Sequence, residues 1–72
     1  MRLVTSREDG VIISTVEVKF LDWYGKYETA VSIDGKAWRI LEGYNTIEDA
    51  AFKHAIYENM SKEKLMNFDY IG

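Results

Sequence analysis

From Val11 to Tyr44 the chain alternates apolar and polar residues in runs broken by turn formers, the period-two pattern of β-strands. Val11 to Trp23 is rich in β-branched and aromatic residues, with Val16, Val18 and Phe20 on one face and Thr15, Glu17 and Lys19 on the other. Leu21 and Trp23 then fall on the polar face, which implies a neighbouring chain packed there, or a twist or bulge in the strand. Tyr24-Gly25-Lys26 reads as a hairpin turn, and Tyr27 to Ile33 as the next strand. Tyr27, Thr29, Val31 and Ile33 face one way; Glu28, Ala30 and Ser32 face the other. Asp34-Gly35 is a two-residue hairpin signal, because both positions tolerate φ > 0. Lys36 to Tyr44 follows as a third strand, with Trp38 and Ile40 on one side and Arg39 and Leu41 opposite. Trp38 is expected in the core because it shares its face with Ile40. Met1 to Val4 has the composition of a further short strand, before a turn at Ser6 to Gly10.

After Tyr44 the period changes. Thr46 can cap a helix by accepting from the amide near Asp49, and Glu48 and Asp49 lie where the helix dipole favours acids. The helix is expected to run to Met60, with Ala51, Phe52, Ala55 and Ile56 as its continuous apolar stripe against the sheet. Ser61 can cap a second short helix over residues 62–67, or the first helix continues through it. Phe68, Tyr70 and Ile71 make an apolar tail. The expected fold is α+β: a three-stranded antiparallel meander packed on one main helix, with a short C-terminal helix or tail. The 72 residues are expected to form a single small domain.

Composition narrows the function. With no cysteine, thiolate zinc sites and disulfides are ruled out, and a reducing compartment is favoured. Nine basic and twelve acidic residues give a formal charge of −3, unfavourable for coating a phosphate backbone. No apolar run approaches the roughly 20 residues of a membrane span, and Met1 to Arg7 is too short and polar for a signal peptide, so a cytoplasmic location is expected.

Three stretches carry a resemblance. Ile33-Asp34-Gly35-Lys36, Leu41-Glu42-Gly43-Tyr44 and Thr46-Ile47-Glu48-Asp49-Ala50-Ala51 resemble the second half of an AP2-like DNA-binding domain. The resemblance covers residues 27–55. It implies three antiparallel strands on one helix, and DNA contacts through exposed arginines and tryptophans on the sheet. Glu28, Ala30 and Ser32 would face outward and offer no phosphate contact, which leaves Lys19, Lys26, Lys36 and Arg39 to supply a basic patch. The chain also looks like the small phage and prophage proteins that pair a hairpin with a T-x-E-x-A helix, a resemblance that implies no activity.

Candidate chemistry is sparse. His54 is the sole histidine; Glu58 stands four residues on and could orient it, but no serine, cysteine or second histidine has a usable helical spacing. A position on the helix surface or rim is expected for it. No catalytic, cofactor-binding or metal-ligating set emerges. Asp9, Asp34 and Asp69 match no calcium loop, and the glycines form no phosphate-binding run. The reading is a small non-enzymatic protein that acts through protein contacts, as a homodimer or on an unidentified protein. Leu21, Trp23, Leu41, Phe68, Tyr70 and Ile71 are the expected interface. The alternative is a DNA-binding module using the sheet.

Overall fold

The computed structural model describes residues 1–18 and 26–68. Four strands precede two helices: β1 (Arg2–Ser6), β2 (Val11–Glu17), β3 (Tyr27–Ile33), β4 (Arg39–Tyr44), α1 (Ile47–Glu58) and α2 (Lys62–Met66). The strands pair in chain order as an antiparallel sheet. The expectation of three strands is therefore corrected to four. Arg2 to Ser6 pairs along its whole length with β2, from Arg2 opposite Val16 to Ser6 opposite Ile12. The short N-terminal run suffices because the Arg7–Gly10 turn folds it straight back onto β2, with the Arg7 amide bonded to the Val11 carbonyl at 2.8 Å.

The turns between strands follow local chemistry. Asp34 and Gly35 have φ of 55° and 75°, the left-handed pair that a two-residue hairpin needs. Gly10 has φ of 88°, and a side chain there would collide with the Asp34 carboxylate. Two hairpin ends meet at this point. The Asp34 amide donates to the Gly10 carbonyl at 2.9 Å, and Lys62 Nζ reaches the Asp9 carbonyl at 2.8 Å and Asp34 Oδ1 at 2.9 Å.

Both helix starts are capped as expected. Thr46 accepts from the Asp49 amide at 3.2 Å, and Ser61 from the Lys64 amide at 3.1 Å. The second cap makes α2 a separate helix. Arginines close the other ends, where free carbonyls and the dipole favour a cation. Arg7 donates to the carbonyls of Glu58 and Met60, and Arg39 to those of Leu65 and Phe68. Among the described residues, no helix is long and apolar enough to cross a membrane.

The core lies between one sheet face and the helices. Val11, Ile13, Val31, Leu41, Tyr57 and Leu65 form its buried cluster, with Ile33, Met60 and Phe68 packed against it. This inverts two expected faces. In β2 the buried side is Val11, Ile13 and Thr15, while Val16 is half-buried on the opposite side. In β4, Leu41 is fully buried and Trp38, just ahead of the strand, is 55% exposed. The helices cover the face that carries Leu41, so Trp38 and Ile40 project the other way. A register irregularity between Thr29 and Ala30 leaves Leu41 as an extra residue between Ile40, paired with Ala30, and Glu42, paired with Thr29, and lets both Leu41 and Glu42 serve the helix side.

Candidate functional site

The twelve-residue α1 turns His54 and Tyr57 inward. Ala50, His54 and Tyr57 are buried against the sheet, whereas Ala51, Phe52, Ala55 and Ile56 are exposed. Phe52 is 66% exposed and Ile56 42%. The expected apolar stripe therefore faces away from the core, and His54, expected at the surface or rim, is only 5% exposed. Hydrogen bonding decides the rotation. Threonines from three strands present hydroxyls to this side of the sheet, and a buried hydroxyl needs a partner that phenylalanine or isoleucine lacks.

Those hydroxyls form one chain with His54. Tyr44 donates to Thr29 Oγ1 at 3.0 Å, and Thr29 and Thr15 share a 2.6 Å bond. Thr15 Oγ1 lies 2.7 Å from His54 Nδ1, Thr5 Oγ1 lies 3.0 Å from Nε2, and Thr5 donates to Glu58 Oε2 at 2.6 Å. A hydroxyl carries one hydrogen. Thr5 uses its own on Glu58, so it accepts from His54, and the proton of neutral His54 resides on Nε2. Nδ1 then accepts from Thr15, which in turn accepts from Thr29, which accepts from Tyr44. Every donor finds an acceptor with His54 uncharged. Protonating Nδ1 would reverse the Thr15 bond, leaving Thr29 with two donors aimed at it and its own hydrogen without an acceptor in the chain. Burial also holds the His54 pKa below its ordinary value, against the opposing pull of Glu58, whose carboxylate is 3.9 Å from Nε2. Burial likewise pushes the Tyr44 hydroxyl up to about 12.

This network is a saturated seam between sheet and helix. Its side chains spend their bonds on one another, and His54 is closed off from a substrate. A second polar contact lies alongside: Tyr57 donates to Glu42 Oε1 at 2.7 Å, with Lys53 Nζ 3.7 Å from the same oxygen. Burial and the Glu42 carboxylate raise the Tyr57 pKa strongly. Beside the β3–β4 hairpin a half-open groove of about 380 Å³ is lined by Val31, Ile33, Asp34, Lys36, Ala37, Arg39 and Met66. Its charged groups are partly committed, Asp34 to Lys62 and Arg39 to two carbonyls. Among the described residues no cluster of three or more histidine, cysteine or acidic side chains could hold a metal.

Of the expected interface residues, Leu41 and Phe68 lie among the described ones. Leu41 is in the core and unavailable to a partner. Phe68 folds back on the protein's own Tyr57, edge to face at 5.4 Å between ring centroids. Leu21, Trp23, Tyr70 and Ile71 lie outside the described residues. Of the basic set, Lys19 also lies outside them. Lys26 and Lys36 are exposed just beyond opposite ends of the seven-residue β3, roughly 23 Å of strand apart. Arg39 is bonded to the C-terminal end of α2 on the helix side of the sheet.

Sequence reasoning missed the outward surface because it assigned Phe52 and Ile56 to the core. A signal was present in Thr5, Thr15 and Thr29, three threonines on strand positions with one histidine on the facing helix. No family model, curated protein or solved structure matches the chain, so the AP2-like resemblance rests on the residues quoted for it alone.

Proposed function

We propose that this protein is a small non-enzymatic module that binds another protein chain through the outward face of α1. One observation carries the reading: Phe52 and Ile56 are presented to solvent beside Ala51 and Ala55, while His54 and Tyr57 are spent on the sheet. An α-helix in a one-layer-on-sheet fold is ordinarily apolar towards the sheet and polar outside. The reverse exposes an uncharged, contiguous strip of helix, the kind of surface that marks a protein contact. A phage or prophage origin rests on the resemblance of the hairpin and helix alone and does not bear on this surface.

A photoreactive benzoylphenylalanine in place of exposed Ala55, with exposed Glu63 on α2 as the control position, tests the reading in the cells that make the protein. Light-dependent protein adducts at position 55, absent at 63, are expected. No adduct at either position, with the protein folded and abundant, would remove it.

A second reading is sheet-mediated DNA binding. It is favoured by Trp38, 55% exposed, two residues from exposed Lys36, an aromatic and a cation of the sort that stacks on and steers nucleic acid. With few cations and a net negative chain, such binding is expected to be weak and strongly salt-sensitive. Fluorescence anisotropy at low and moderate salt measures it; tight binding that persists at moderate salt would put this reading first.

A further inference from the structure

We infer that the partner of the α1 face is a second copy of the same chain, docked antiparallel about a two-fold axis through the middle of the helix. The inference rests on the protein-contact reading and names its occupant.

The outward face has the spacing of a helix–helix seam. Glu48, Phe52, Ala55 and Asn59 recur at intervals of four, three and four, the interval of side chains that meet a partner helix along one line. All four are exposed. In an antiparallel pair centred between Lys53 and His54, each level of the seam holds two residues whose numbers have one sum. Phe52 then lies level with the partner's Ala55, and Glu48 level with the partner's Asn59. Both levels are complementary. The largest side chain of the seam meets the smallest, and Ile56, one turn on from Phe52, lies beside the partner's ring. Ala51 and Ala55 line the other side of the seam, so the two axes can approach to the short end of the usual 8–10 Å.

Charge agrees with size. Two copies of a chain of net charge −3 repel unless acids are kept out of the contact. Between Asp49 and Asn59 the outward face carries no charge: Lys53 is half-buried beside Glu42, and Glu58 is half-buried beside Thr5. The acid that does border the seam, Glu48, meets an amide donor. Asn59 spends one Nδ2 hydrogen on the Ala55 carbonyl at 2.8 Å and keeps the other. A parallel pair would lack all of this, stacking Phe52 on Phe52 and Glu48 on Glu48. Three turns of helix bury less than the roughly 800 Å² per partner of a standard interface, which places the dimer at the weak end.

Sedimentation equilibrium on the intact protein, from micromolar to near-millimolar concentration, reads the result. The mass should rise from the 8.4 kDa of one chain towards two. Phe52→Glu should hold it at one chain across that range with an unchanged melting temperature. Asn59→Glu, which sets an acid against Glu48, should weaken the dimer about tenfold, and adding Glu48→Lys should restore it; circular dichroism of each variant confirms that the helix is intact. A single-chain mass for the unmodified protein throughout overturns the second copy as partner. So does a dimer that Phe52→Glu leaves intact, or one that the charge exchange fails to rescue. These failures are separable from failure of the protein-contact reading: a monomer that still gives adducts of a different mass at position 55 contradicts the second copy and keeps the surface.

Discussion

The two sides of α1 differ in how their side chains are satisfied. The inner side carries His54 and Tyr57, whose polar atoms bond to Thr5, Thr15 and Glu42 on β1, β2 and β4. The outer side carries Phe52 and Ile56, which touch solvent. Apolar burial alone would have favoured the opposite rotation, since a large apolar side chain gains roughly 1.5–3 kcal/mol on leaving water. It is outweighed because the sheet presents Thr5, Thr15 and Thr29 on the side that α1 covers. Burying a hydroxyl without a partner costs about 1–3 kcal/mol, as much as an outward apolar side chain forgoes, and His54 partners both Thr5 and Thr15. The helix therefore docks by hydrogen-bond matching, and its apolar surplus faces solvent.

The sharpest way to break this contrast is to truncate one large apolar residue on each side of the boundary. Leu41→Ala, in the fully buried cluster, should destabilise by about 2–5 kcal/mol in urea unfolding. Phe52→Ala should change stability by no more than about 0.5 kcal/mol in dilute protein, where any self-association is absent. Equal losses at the two positions would mean that Phe52 is a core residue. Next in size is Tyr57→Phe, which removes a hydrogen bond to a carboxylate and leaves the ring in place; a loss of roughly 1.5–3 kcal/mol is expected. Thr46→Ala should cost about 1 kcal/mol by removing the cap of α1, without changing which side of the helix is buried.

A finer signature is pH dependence. Unfolded, His54 takes up a proton near its ordinary value of 6.5; folded, burial delays protonation to lower pH. Between those values the unfolded chain binds more protons, so stability is full above about pH 6.5 and falls as pH drops towards the folded value. Urea midpoints from pH 7.5 down to about 5.5 should show this decline, and His54→Leu should flatten it. An equal slope in the variant would assign the decline to other groups.

Much of the architecture is legible in the sequence. Asp34-Gly35, Thr46 and Ser61 each impose a local geometry that neighbours do not overrule, and turn and caps are found where those residues stand. The strand alternation in β3 holds in part: Thr29 and Val31 are buried on one side, but Ser32, expected to face outward, is buried too, its hydroxyl bonded to the Lys36 carbonyl. What was not legible depends on partners distant in sequence. Apolar residues lie around most of α1, so periodicity alone allows two buried faces, Ala50-His54-Tyr57 or Ala51-Phe52-Ala55-Ile56. Thr5 and Thr15 decide between them from residues 49 and 39 positions away. The inverted faces of β2 and β4 have the same origin: Thr15 reads as polar and outward until its hydrogen-bond partner is known. β1 was legible as a short strand, but its pairing along five residues was not.

The rotation of α1 is tested most directly by NMR of the His54 and Phe52 rings in dilute protein. His54 should be a neutral imidazole with its proton on Nε2, titrating below 6.5, with nuclear Overhauser contacts to the methyls of Thr5 and Thr15. Phe52 should show no contacts to the methyls of Val11, Ile13 or Leu41. A histidine that titrates freely at its ordinary value, together with Phe52 contacts to those core methyls, would contradict the inverted helix and the surface derived from it.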